Sequence, residues 1–107
     1  MVQTTNKNLE IVKNFKKKAE KIINLQKLVF FGSRAKGIFS EESDFDLLLV
    51  SKDFENQPFY KRPVELYLNW KEAYPLELMC YTPEELKRKS QNPLSLVSEA
   101  LKTGITI

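Results

Sequence analysis

The chain has 107 residues, a formal net charge of +3, one cysteine and no histidine. This length predicts one small domain spanning residues 1–107, and the missing residue types exclude an internal disulfide, histidine-based acid–base chemistry and metal sites built from histidine or clustered cysteine. Carboxylates are therefore the candidate catalytic groups, and the absence of a signal-peptide pattern or a long apolar run predicts a cytoplasmic protein without a membrane partner.

The first predicted element is a basic amphipathic helix from about Asn6 to Asn24. Residues 1–27 contain seven lysines and two glutamates, so the positive charge is concentrated in this part of the chain. Apolar residues recur at helical spacing and predict a buried face: Val12, Phe15, Ala19, Ile22 and Ile23. Because no aromatic residues lie between the lysines to stack on bases, we favour a solvated helix face over a nucleic-acid surface.

A buried strand is predicted at residues 28–31, and it stops at Gly32 and Ser33. Glycine adopts unusual dihedrals and lets an anion approach the backbone closely. If residues 33–36 form a helical turn, their free N–H groups and the helix dipole point at that anion, and the Ser33 hydroxyl adds a donor. The segment predicts a phosphate-binding turn, although a Gly-Ser pair after a strand is also common in plain turns.

Two carboxylates open the next predicted strand, which covers residues 43–50. Because side chains alternate along a strand, Asp44 and Asp46 point to one face and lie about 6–7 Å apart. Two carboxylates at this spacing can share the pair of cations of a phosphoryl-transfer site, which lie roughly 3.5–4 Å apart. Mg²⁺, or Mn²⁺ in its place, suits such oxygen ligands. Alone, an Asp-x-Asp pair is usually a solvated loop or strand end.

The second half of the chain predicts further helices. One covers about Phe59–Lys71, with Pro63 either in its first turn or separating a short initial turn. Another begins at Thr82, which forms a capping box with Glu85. A last helix begins at Asn92-Pro93 and ends at Gly104, before a short edge strand at residues 105–107.

A carboxylate interrupts the third predicted strand, which covers residues 76–81. The strand is apolar except at Glu77. An unpaired carboxylate inside an apolar strand is strongly unfavourable, so Glu77 needs a partner or water. It is either a site residue or a surface residue of an edge strand.

The Gly-Ser turn followed by Ser-Asp-x-Asp at the start of an apolar strand is the pattern of the DNA polymerase β-like nucleotidyltransferase superfamily. GSRAKG…SDFDLLLV resembles the small members known as minimal nucleotidyltransferases, and the similarity in pattern extends over nearly the whole chain. The resemblance implies an α/β fold, with a small mixed sheet of three to five strands and helices packed mainly on one side.

The resemblance also implies a reaction, the transfer of a nucleoside monophosphate, AMP above all, from ATP or another NTP to a hydroxyl acceptor. Asp44 and Asp46 would bind the metal ions, and Gly32 and Ser33 the terminal phosphates. Superfamily members usually carry a third acidic ligand on the neighbouring strand, and Glu77 stands at that position. Close relatives of this pattern commonly have aspartate there, so Glu77 is a departure that bears on catalytic efficiency.

Two basic residues and the partner complete the interpretation. Arg34 and Lys36 would add positive charge near the phosphates or face solvent. Small superfamily members resemble antitoxins whose partner is a HEPN-type ribonuclease, and some of them modify that partner with AMP. The alternative is a non-catalytic antitoxin or scaffold module, and the departure at Glu77 leaves this alternative open. Homo-oligomerisation also stays open.

Overall fold

The computed structural model describes residues 4–107 and contains a mixed sheet of four strands. The strands are β1 (Lys27–Phe31), β2 (Phe45–Val50), β3 (Leu76–Tyr81) and β4 (Ile105–Thr106), in the order β3-β2-β1-β4. β1 runs antiparallel to both β2 and β4, whereas β2 and β3 are parallel. The predicted α/β fold with a small mixed sheet is confirmed, as is the short edge strand near the C-terminus.

In the part of the chain that the structure describes, five α-helices accompany the sheet: α1 (Asn6–Glu20), α2 (Gly32–Lys36), α3 (Val64–Leu68), α4 (Pro83–Ser90) and α5 (Leu96–Thr103). The helix predicted over 59–71 is shorter, and a 3₁₀ turn at Phe59–Lys61 precedes it. Pro63 lies between the two because it lacks the N–H that a continuous helix would need. α1 ends four residues earlier than predicted, and Ile22 and Ile23 still pack against the core.

The helices cover both faces of the sheet, which corrects the expectation that they pack mainly on one side. Leu28 and Phe30 of β1 belong to the larger core, together with Phe15 of α1. Val29 belongs to a smaller core that includes Val97 of α5. Successive strand residues point to opposite faces, so the uninterrupted apolar run of β1 requires cover on both.

Helix caps and a partly buried ion pair stabilise the second half of the chain. Thr82 and Glu85 form the predicted capping box at the start of α4. The last helix begins later than predicted, with Ser95 as its N-cap in place of Asn92. Glu85 also binds the Arg62 guanidinium through both carboxylate oxygens. These bonds, offset in part by burial, lower the pKa of Glu85 to about 2.

The outer edge of β3 is occupied by side chains from the segment before it. The Leu78 N–H donates to the Tyr67 hydroxyl at 3.0 Å, and Arg62 Nη1 donates to the Cys80 carbonyl at 3.1 Å. Such bonds satisfy groups that an uncovered edge strand would offer to another chain. Within residues 4–107, none of the helices has the length and hydrophobicity needed to cross a membrane.

Candidate active site

Gly32 brings the backbone against the carboxylate of Asp46. It follows β1 directly and has a φ of +82°, a conformation that side-chain-bearing residues rarely adopt. A Cβ at this position would collide with Oδ2 of Asp46. Both the backbone conformation and the available space therefore require glycine here.

Three carboxylates lie at the end of the sheet where β1 stops. Asp46 pairs with Phe31 of β1 on one side and with Glu77 of β3 on the other. Asp44 precedes β2 by one residue, and both Asp44 and Glu77 are exposed. Glu77 thus lies on an edge strand, as one of the two interpretations expected, and is aligned with Asp46, as the other requires.

The electrostatics reflect this gathering of negative charge. The pKa of Asp46 is raised from 3.8 to about 6, mainly because burial disfavours the ionised form, and further because Asp44 and Glu77 are negative. Burial together with neighbouring negative charges commonly raises the pKa of carboxylates at functional sites.

The donors at this end of the sheet suit a hard divalent cation. The carboxylate oxygens of Asp44, Asp46 and Glu77 are the ligand type that Mg²⁺ prefers, and Oδ2 of the half-buried Asp46 occupies the place that a side chain on Gly32 would take. Within the described residues no three acidic or sulfur-bearing side chains already surround one ion position. One or two carboxylates completed by substrate phosphates and water are nevertheless typical of Mg²⁺.

The basic turn after Gly32 is helical, as predicted. α2 begins at Gly32 and ends with the left-handed Gly37, and Ser33 is exposed in its first turn. Lys36 lies at the opposite end of α2, where its ammonium is 3.7 Å from Glu99, with both side chains about half exposed. The structure thus leaves Ser33 exposed directly after Gly32 and turns Lys36 toward α5.

Arg34 is not placed as expected, because its side chain is buried. It is only 2% exposed, and its guanidinium donates to the backbone carbonyls of Ser40, Glu41 and Ser43. The prediction that Arg34 supplies charge to the phosphates or faces solvent is therefore wrong. A guanidinium has donors for several carbonyls at once, and the loop before β2 provides them.

Tyr67 is a neighbour of the site that the sequence did not reveal. Burial is the main cause that raises the pKa of Tyr67, and the charges of Glu77 and Asp44 raise it further by smaller amounts. The hydrogen bond from the Leu78 N–H acts in the opposite direction and lowers it. The hydroxyl therefore lies within electrostatic reach of the carboxylates. In the sequence, Tyr67 falls on the apolar face of a predicted helix, so nothing distinguished it from a core residue.

Replacing Gly32 by alanine should destabilise the protein more than the same change at Gly37. Both glycines have a φ of +82°, so both substitutions incur the roughly 1–3 kcal/mol of a strained backbone. Only the change at Gly32 adds a collision with Asp46. Urea denaturation of the two variants measures the difference, and equal losses would contradict the close packing of Gly32 on Asp46.

Replacing Asp46 by asparagine should stabilise the metal-free protein at neutral pH. The folded state holds the Asp46 proton more tightly than the unfolded chain, whose carboxyl titrates near 3.8. Ionisation therefore destabilises the fold, and the loss develops as the pH rises from about 4 and is complete above about 6.

Thermal unfolding in EDTA at several pH values tests this expectation. The variant should unfold at a higher temperature than the wild type at pH 7, and this advantage should shrink as the pH is lowered through that window. A variant that is less stable than the wild type at pH 7 would contradict the conclusion that the fold disfavours ionised Asp46.

Comparison with known proteins identifies the family of the chain. The family model of the nucleotidyltransferase domain matches residues 10–105, nearly the whole chain. A putative protein adenylyltransferase of Methanocaldococcus jannaschii is 43% identical over 47 residues, which cover 42% of this chain and 48% of that protein. The match thus spans about half the length of that relative.

A solved structure has the same fold. The crystal structure of a putative nucleotidyltransferase from Sulfolobus solfataricus superposes with a TM-score of 0.60 and 22% identity, and covers 77% of this chain and 73% of that one. The family match includes the Gly-Ser turn, the paired aspartates and Glu77. The chain belongs to the nucleotidyltransferase domain family.

Proposed function

We propose that this protein transfers AMP from ATP to a hydroxyl group of a partner protein, and that Asp44, Asp46 and Glu77 carry the reaction. The observation that carries the proposal is the alignment of Asp46 with Glu77 at the end of the sheet where Gly32 packs on the Asp46 carboxylate. The family supports nucleotidyl transfer. The description of the relative from Methanocaldococcus jannaschii as a protein adenylyltransferase supports a protein acceptor.

The turn at Gly32 would receive the terminal phosphates. The first N–H groups of a helix have no partner within the helix, and α2 begins here without a side-chain cap. Ser33 is exposed and adds a hydroxyl donor. Gly32 contributes by leaving the backbone accessible beside Asp46.

Asp44 and Asp46 would hold Mg²⁺ or Mn²⁺. The bound cation would neutralise the charge that builds up on the triphosphate as pyrophosphate leaves. Ionised Asp46 is unfavourable in the metal-free protein, so cation binding would also relieve a repulsion already present.

Glu77 would receive the proton of the acceptor hydroxyl. The acceptor oxygen forms a bond to the α-phosphorus, the bond from the α-phosphorus to pyrophosphate breaks, and the hydroxyl proton passes to the carboxylate. Glu77 is exposed on the edge strand, so an acceptor can approach it from solvent. Its side chain is longer by one methylene than the aspartate commonly found at this position.

Binding of ATP should depend on the cation and on Asp46. Calorimetry with ATP should show binding in Mg²⁺ or Mn²⁺ and none in EDTA, and Asp46→Asn should lose it. Asp53→Asn is the matched control, because Asp53 is an exposed aspartate beyond the other end of β2. Equal binding in EDTA would eliminate the cation-bridged site.

Transfer should depend on the Glu77 carboxylate. With ATP labelled at the α-phosphate and a co-expressed partner protein, Glu77→Gln should lower the rate by about 10²–10⁴-fold, the typical effect of losing a proton-transfer group. Glu77→Asp should preserve or raise the rate, since it restores the commoner side chain. Glu84→Gln is the control, as Glu84 is an exposed acid in the first turn of α4.

The outcomes separate catalysis from scaffolding. Label from the α-phosphate but not from the γ-phosphate should stay on the partner. If Gln and Asp at position 77 both behave like the wild type, Glu77 is only a surface residue. If the wild type also transfers no label, the fold serves as a non-catalytic partner-binding module.

A further inference from the structure

Arg34 is a buried cation without a carboxylate partner among the described residues. The ion pairs there are Lys36–Glu99 and Arg62–Glu85. Burying a charge is strongly unfavourable unless its hydrogen bonds are satisfied. Because Arg34 is only 2% exposed, groups of the protein have to replace the water that would otherwise bind its guanidinium.

Backbone carbonyls supply most of that compensation. Arg34 Nε donates to the Ser43 carbonyl at 2.7 Å, and Nη2 donates to the carbonyls of Ser40 at 3.2 Å and Glu41 at 2.9 Å. Nη1 donates to Oδ1 of the buried Asn8 in α1 at 3.4 Å. The guanidinium thus connects α1, α2 and the loop before β2.

Three aromatic rings surround the same guanidinium. Its central carbon lies 4.8 Å from the Phe39 ring centroid, 4.6 Å from that of Phe45 and 4.5 Å from that of Tyr74. Cations are attracted to aromatic faces at such distances, more strongly when water is excluded. Pro75, next to Tyr74, accepts the Phe45 N–H at 2.8 Å, so this cluster also anchors the start of β2.

The residues on either side of Asp44 both contact Arg34. Ser43 does so through its carbonyl and Phe45 through its ring. Asp44 itself lies in the connection before β2, where no strand pairing fixes it. We propose that Arg34 is a positioning residue that holds Asp44 at the cation site through residues 40–45. The inference rests on the proposed function.

Lysine cannot reproduce this arrangement. A guanidinium presents five donors in a rigid plane, whereas an ammonium is a compact group with three donors on a flexible stem. Arg34→Lys keeps the charge and loses the simultaneous bonds to Ser40, Glu41 and Ser43. The substitution therefore separates positioning from net charge.

Arg62 provides the matched control. It is also buried, at 9% exposure, and also binds backbone carbonyls, those of Gln57 and Cys80, besides Glu85. Its partners lie at the end of β3 opposite Glu77. Arg62→Lys should destabilise the fold in the same way without displacing Asp44.

The test measures Mn²⁺ binding by electron paramagnetic resonance, with ATP present, together with hydrogen exchange of residues 38–45. Arg34→Lys should weaken Mn²⁺ binding by about 10–100-fold, the usual effect of removing a group that orients a metal ligand. It should also speed exchange of the Ser43 amide, which bonds the Ser40 carbonyl. Arg62→Lys should change neither.

Three results would overturn the inference. The first is that Arg34→Lys binds Mn²⁺ and exchanges its amides like the wild type, and the second is that Arg62→Lys loses Mn²⁺ affinity equally. The third is that Arg34→Lys has a raised KM for ATP without faster exchange of the Ser43 amide. If Arg34→Lys fails to fold, Asn8→Ala removes one bond and should shift both readouts less, in the same direction. If the wild type binds no Mn²⁺ with ATP, the proposed function fails. Exchange at Ser43 then decides by itself whether Arg34 holds the loop.

Discussion

The half-buried position of the Asp46 carboxylate, next to the further acids Asp44 and Glu77, is the constraint on which this end of the sheet depends. Asp46 is half-buried between two strands, and its pKa of about 6 shows that the metal-free fold disfavours its ionised form. The sheet keeps the carboxylate there because β2 is buried among apolar residues from Leu47 onward. The apolar core thus holds in place a carboxylate whose ionised form the metal-free fold disfavours.

Two buried arginines hold loops against the sheet by different means. Arg62 lies far along β3 from Glu77 and binds the Glu85 carboxylate, so its charge is neutralised. Arg34 lies beside the acidic end of the sheet and binds neutral carbonyls and aromatic faces. Carbonyl partners satisfy the guanidinium without adding a fourth carboxylate where three already repel one another.

The parallel pairing of β2 with β3 assembles the site from distant parts of the chain. It places Glu77 beside Asp46, although about thirty residues separate them. The connecting segment also covers the outer edge of β3 through Tyr67. The segment between β2 and β3 therefore leads into the strand that carries Glu77 and also bonds backbone groups at the outer edge of that strand. This arrangement places the Glu77 carboxylate on an edge strand whose outer backbone groups are already bonded.

The resemblance of the chain's motifs to a known superfamily indicated the mixed α/β class. The sequence by itself determined the local features: the stop at Gly32, the paired aspartates and the capping box at Thr82. These depend on backbone preferences and side-chain periodicity within a few residues. Only the tertiary structure decided that helices cover both faces, that Asp46 aligns with Glu77 and that Arg34 turns inward. Register and burial are set by packing between segments far apart in the chain. The local sequence around Arg34 is the same whether its guanidinium binds a phosphate or a set of backbone carbonyls.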